Sequence, residues 1–119
     1  MLRNILFVAL GGSMGSVFRY LTNLLFPNKQ IPIATFLVNI IGSFLIGLLM
    51  GYLVKQSNAQ TCQLLLITGF CGGFTTFSAF SWDVVLMLQQ QRFATAFGYI
   101  LCTFFIGVAA TLFGFWLSK

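Results

Sequence analysis

The chain has no histidine and only one acid, Asp83, in 119 residues, so it also has no glutamate. Without these groups no set of nucleophile, base and orienting acid can be assembled, and no P-loop or dinucleotide-binding glycine pattern is present. An enzyme is therefore not expected. Cysteine is scarce too. Cys62, Cys71 and Cys102 all fall in apolar sequence, an odd number with no histidine beside them. That argues against a disulfide framework and against a zinc site, and the three read as small core residues. A proton-coupled carrier needs a titratable group that cycles within the membrane. Asp83, next to Trp82 near the end of an apolar run, is a poor candidate and suits an interface or a helix terminus. Charge of either sign is rare, at 6% of residues, against roughly 25% in soluble domains. The cations Arg3, Arg19, Lys29, Lys55, Arg92 and Lys119 are scattered singly, so the net charge of +5 is no nucleic-acid footprint.

What is there is hydrophobic sequence, 59% of the chain. This composition predicts an integral membrane protein with almost no extramembrane mass. No signal-peptide cleavage pattern is present, so the first apolar run is expected to stay. Four runs can each supply the roughly 20 residues of a spanning helix: residues 4–26, 33–54, 62–88 and 93–117, taken as a single four-helix transmembrane domain. Their links, PNKQIP, KQSNAQ and QQQR, are short and polar. Four spans put both termini on one side with Arg3, Lys55 and Lys119, facing Lys29 and Arg92 across the bilayer, three against two. Loop Lys/Arg bias sets orientation. Here it nearly cancels, which favours insertion either way up and an antiparallel two-fold dimer.

The third run contains the stretch the rest is organised around, GFCGGFTTFSAFSWD from Gly69 to Asp83. Paired glycines, Gly72 and Gly73, precede the hydroxyls Thr75, Thr76, Ser78 and Ser81. Hydrocarbon tolerates irregular backbone only where protein, water or ions supply the missing partners. The expectation is a membrane helix broken near Gly72–Ser78, its break facing a binding site or pathway. Small residues are ordered around it. Gly11 and Gly15, then Thr35, Asn39, Ser43, Gly47 and Gly51, then Thr95, Tyr99, Thr103, Gly107 and Thr111 recur four apart. Positions at that spacing share a helix face and let membrane helices approach closely. Asn39 is more than packing: an amide at mid-membrane depth needs partners or a wet cavity. Arg19, well inside the first run, snorkels, pairs with Asp83, lines an anion vestibule or braces the break.

A pathway without acids, lined by hydroxyls, an amide, aromatic rings and an arginine, suits an anion. Hydroxyls and amides donate hydrogen bonds, and half-helix N-termini offer free N–H groups. Phenylalanine edges are electropositive, and Phe77 and Phe80, three apart, project from one side of a helix restarting after the glycines.

The segments GFCGGFTTFSAFS at 69–81, GGSMGSVFRY at 11–20 and VNIIGS at 38–43 are in the same order as in the fluoride channel family called Fluc or CrcB. Length and four-span layout match as well, so the resemblance covers essentially the whole chain. It implies a fluoride-specific channel of the prokaryotic cell membrane, a dual-topology antiparallel homodimer that exports cytoplasmic fluoride passively and limits its toxicity. It also implies a structural sodium ion at the centre, held by backbone carbonyls at positions matching Gly72 and Thr75. The family's pore phenylalanines match Phe77 and Phe80. Its further pathway positions match Asn39, Ser78, Tyr99, Thr103 and Arg19. Many members have Thr where this chain has Ala79, which takes one hydroxyl from the polar track. Two alternatives stand beside this reading. A small four-helix dual-topology exporter of cationic or guanidinium compounds should carry a Glu in its first helix, and there is none. A non-transporting membrane assembly subunit would fit the small-residue faces but not the hydroxyl-rich break.

Overall fold

A computed structural model describes residues 1–27 and 30–119. Lys29, counted above in the loop charge balance, lies outside the described residues, as does Asn28 of the same turn. Helix accounts for nearly everything else. The first span is α1, Leu2–Leu25, and the second is α2, Ile33–Leu53. The third begins as α3, Gln60–Cys62, widens into a π-helical stretch, Gln63–Cys71, and closes with the turn α4, Gly72–Phe74. Thr75 and Thr76 are extended, with φ, ψ of −86°, 157° and −153°, 118°. Then α5 runs Phe77–Gln89 and α6, the fourth span, Phe93–Ser118. The four spans are long and apolar enough to cross a membrane. At 1.5 Å per residue even α2 reaches roughly 32 Å, against a hydrocarbon core of about 30 Å.

Local sequence places the ends. Pro32 sits just ahead of α2, where its missing N–H costs no helical hydrogen bond, and it is fully buried. At the far end of α5 the Arg92 N–H donates to the Met87 carbonyl at 2.9 Å and the Gln91 N–H to that of Leu88 at 3.1 Å. Gln91 takes a left-handed φ of 59° to close this turn. Lys55 Nζ donates to the Ser118 carbonyl at 2.7 Å, tying the loop after α2 to the end of α6.

Packing follows the small residues. A methyl on Gly11 would strike the Leu65 carbonyl, and one on Gly15 the Phe70 carbonyl, so α1 lies backbone to backbone against the π-helical stretch. Gly47 meets the Thr111 carbonyl in the same way and Gly114 that of Phe44, which seats α6 on α2. Thr111 Oγ1 reinforces this contact by donating to the Ser43 carbonyl at 3.1 Å. Between lipid-like faces such close approach gains dispersion contacts rather than hydrophobic free energy. Cysteine departs from expectation: Cys71 is buried, but Cys62 and Cys102 are exposed. Both lie on helix faces turned away from the neighbouring spans, so small size brings them no core contact.

Gly47→Leu is expected to destabilise the fold by about 3 kcal/mol or more, since overpacking against backbone has no flexible neighbour to yield. Gly98 has nothing within 4 Å of an added methyl, so Gly98→Ala should raise stability by up to about 1 kcal/mol. Thermal unfolding of the purified protein in detergent compares the two.

Candidate functional site

The extended residues Thr75 and Thr76 interrupt the helical ladder inside a membrane span, so their backbone groups need other partners. Asn39, from the middle of α2, supplies two. The Thr76 N–H donates to Asn39 Oδ1 at 2.8 Å, and Asn39 Nδ2 donates to the Thr76 carbonyl at 3.2 Å. The Thr75 N–H keeps its ordinary helical bond to the Cys71 carbonyl at 3.0 Å, and the Thr75 hydroxyl donates to the same oxygen at 2.8 Å. Arg19 Nε donates to the Gly73 carbonyl at 3.1 Å. A cation at a helix C-terminus is favourably placed against the dipole. Of the readings open for Arg19, the observed bond is the one that braces this step. Beyond it, Thr76 Oγ1 caps α5, accepting from the Ala79 N–H at 3.1 Å.

These diversions free particular oxygens. In a continuous helix the Gly72 carbonyl would accept from the Thr76 N–H, and the Thr75 carbonyl from the Ala79 N–H. The first donor goes to Asn39 and the second to the Thr76 side chain. Gly72 is exposed, and a methyl on it would come no closer than 3.9 Å to another residue, the carbonyl of Ile67. Among the described residues no cluster of His, Cys, Asp or Glu could hold a metal. The carbonyls of Gly72 and Thr75 are oxygens of the chemical kind that a hard cation takes.

Beside the step lies a groove of about 400 Å³ between α2, α5 and α6, whose lining includes Asn39, Thr75, Phe77, Phe80 and Thr103. Its floor carries one orphan: Thr103 Oγ1 is buried, with no hydrogen-bond partner among the described residues. Phe77 is 78% exposed and its ring centroid is 5.7 Å from that of Phe80, which in turn lies 5.1 Å from that of Tyr99. Ser78 and Tyr99 lie outside the groove lining. Ser78 Oγ is 3.0 Å from Thr76 Oγ1, while Tyr99 is buried and its hydroxyl donates to Asp83 Oδ2 at 3.1 Å.

Asp83 differs most from the sequence reading. It sits in the middle of α5, 6% exposed, not at a helix terminus. The reason is its period: it lies on the same helix side as Phe80 and Met87, which face α6, while Trp82 beside it points outward. Asp83 also lines a small cavity of about 30 Å³ with Gln30, Gln90 and Arg92, room for about one water. A side chain's neighbour in sequence hid this role. Its three-residue spacing from Phe80 was the available signal.

Tyr99→Phe keeps the ring contact with Phe80 and removes one donor from a buried carboxylate. The expected cost is about 1–3 kcal/mol of stability, seen as a lowered unfolding midpoint. A midpoint equal to that of the parent would mean that the Tyr99–Asp83 bond contributes nothing to the fold.

A family model described as CrcB-like protein, Camphor Resistance (CrcB), matches residues 6–115. The chain is 46% identical over 123 residues to the fluoride-specific ion channel FluC of Flavobacterium psychrophilum, a match covering 99% of this chain and 98% of that one. It is 47% identical over 119 residues to FluC of Gloeothece citriformis, covering 97% and 96%. Against FluC of Azobacteroides pseudotrichonymphae the identity is 39% over 123 residues, covering 100% and 98%. With four apolar spans and bacterial relatives, this is a multi-pass membrane protein of prokaryotic type. On a match that runs through all four spans, the chain belongs to the CrcB-like family.

Proposed function

We propose that the protein is a fluoride-specific ion channel, not an enzyme, which lets cytoplasmic fluoride leave down its electrochemical gradient. The observation that carries this reading is the groove beside Thr75–Thr76. It combines an amide, an orphan hydroxyl and two phenylalanine rings with no acidic side chain in its lining. Relatives 39–47% identical over nearly their whole length are named as fluoride-specific channels. Fluoride must shed strongly held water to enter a narrow apolar path, so each step has to replace part of it. Asn39, Ser78 and Thr103 offer donors, the edges of Phe77 and Phe80 offer weaker electropositive contacts between them, and Tyr99, its hydroxyl given to Asp83, backs the Phe80 ring. Several moderate sites suit conduction, because one deep site would trap the ion. Arg19 adds positive charge next to the step. Hydrogen fluoride crosses membranes neutral and ionises in the cytoplasm. A negative-inside potential, worth about 2.3 kcal/mol per charge per 100 mV, then drives the anion outward without coupled energy.

The working unit in this reading is an antiparallel homodimer in the lipid bilayer, with the break in the third span at its centre. The exposure of Phe77 and Gly72 in one copy supports a second copy against the open side of the groove. Sodium acts as a structural cofactor held by the carbonyls of Gly72 and Thr75, the oxygens released from their helical donors. When bound it supplies a fixed central charge that favours the assembled state.

Liposomes containing the purified protein should release fluoride and retain chloride. Phe80→Ile keeps bulk and apolarity but removes the ring quadrupole, and hydrophobic swaps of similar volume usually cost below about 1.5 kcal/mol. Fluoride efflux through this variant should fall at least about tenfold, the effect of roughly 1.4 kcal/mol on a barrier, while size exclusion still gives the parent elution volume. A folded Phe80→Ile with parental efflux would remove the ring from the path.

Orientation has its own test. Several lysines added to the loop after α2 should fix every copy one way up. Such copies alone should fail to conduct, and mixing them with copies fixed the opposite way should restore efflux. Full conduction by a single orientation would rule out the antiparallel dimer.

A further inference from the structure

We propose that Asn39 is a positioning residue for the cation site: its carboxamide keeps the Gly72 carbonyl available as a ligand. This rests on the sodium reading above and assigns to one side chain the control of that site. The Thr76 N–H has two possible acceptors. In a helix that continued through the step it would close onto the Gly72 carbonyl four residues back. In the structure it goes to Asn39 Oδ1 at 2.8 Å instead. The second bond, from Asn39 Nδ2 to the Thr76 carbonyl at 3.2 Å, holds the next peptide as well, so the carboxamide grips the backbone on both sides of the Thr76 Cα. A carboxamide is suited to this because it presents a donor and an acceptor side by side, as a neighbouring strand would. A lone hydroxyl or an aliphatic side chain cannot satisfy both groups.

Packing brings the carboxamide to its target. Gly42 lies one turn beyond Asn39 on α2, and a methyl there would strike the Thr75 side chain and approach the Phe74 ring to 3.4 Å. The absence of a side chain at Gly42 lets α2 close on the extended residues. Asn39 also lines the groove that contains Phe77 and Phe80. One side chain therefore touches both the anion path and the backbone that shapes the cation ligands. An amide acting only as an anion ligand would have no need to satisfy both backbone groups of Thr76.

The two roles separate experimentally by titrating sodium against stability. The purified full chain is unfolded thermally in detergent over a range of sodium chloride, with N-methylglucamine chloride holding ionic strength constant. The unsubstituted protein should gain stability with sodium. Asn39→Leu should move the sodium concentration at half effect upward by about tenfold, the consequence of losing one or two ordinary hydrogen bonds. Asn39→Gln, which keeps both groups on a longer stem, should recover part of that shift. Thr103→Val, in the same groove but with no hydrogen bond from its hydroxyl to Thr76, should leave the sodium midpoint unchanged. If Asn39→Leu gives no folded protein on size exclusion, Asn39→Ser, which leaves room for water at the Thr76 groups, provides the measurement. A sodium-dependent parent with an unshifted Asn39 variant overturns this inference and leaves the sodium reading intact. A Thr103→Val shift as large as that of Asn39→Leu overturns it as well, because the effect would then be general. A parent indifferent to sodium overturns both.

Discussion

A peptide group in hydrocarbon must be hydrogen-bonded, and the two extended residues Thr75 and Thr76 create the place where this chain has to meet that demand by other means. An unpaired amide there would cost roughly 2–7 kcal/mol. Each replacement partner comes from a different element: Asn39 from α2, Arg19 from α1, and the Thr76 hydroxyl from the step itself. Those side chains in turn need their helices close by, and this is what the glycines on α1 and α2 permit. Gly15 brings α1 onto the Phe70–Phe74 turn, and Gly42 brings α2 onto Thr75. The small-residue faces and the polar residues thus belong to one arrangement. Close packing places the donors, and the donors stabilise a backbone that lipid alone would not tolerate.

On the proposed reading, the same economy lets a chain with one acid offer a cation site and an anion path side by side. Diverting a donor exposes a carbonyl, which is a cation ligand without formal charge. Restarting a helix at Phe77 places a helix N-terminal end, and two rings whose edges are electropositive, at the groove. Neither site requires a charged side chain at its core, so neither carries the heavy desolvation cost of an ion buried without a partner. The buried charge that does exist, Asp83, is tied to Tyr99, and Tyr99 stacks near Phe80. A run of contacts Phe77–Phe80–Tyr99–Asp83 leads from the open groove into the interface of α5 with α6.

Much of this was legible in the sequence, because the signals are strong in hydrocarbon. Runs of twenty apolar residues mark spans, and Gly72-Gly73 followed by hydroxyls stands out against them. Asn39 was singled out for the cost of an amide at depth, and that cost is what its bonds to Thr76 offset. The π-helical stretch at Gln63–Cys71 was not legible. Its apolar residues suit an α-helix equally well, and its close approach to α1 at Gly11 and Gly15 is a tertiary contact that no local pattern encodes. For Asp83 the structure excludes the helix terminus alone, since the residue lies mid-helix in α5 on the side of Phe80 and Met87. The outward direction of Cys62 and Cys102 was hidden because a uniformly apolar helix gives no contrast between a face that meets protein and one that meets lipid.

That lack of contrast has a structural counterpart. In a soluble protein, burial drives helices together and polar residues merely avoid the interior. Here lipid is as apolar as the side chains, so burial decides little, and α1 remains largely exposed along its length. The interactions able to select one arrangement are those that lipid cannot imitate: backbone contact across glycine, and hydrogen bonds between spans. Three of the latter meet within the step from Gly73 to Thr76, where Arg19 and Asn39 approach from two different helices. Specificity of fold is therefore concentrated where the chain departs from regular helix, and one of the residues that hold that departure, Asn39, also borders the groove. On the proposed reading a substitution there acts on folding and on ion binding together, which is why the two have to be separated by a ligand titration and not by activity alone.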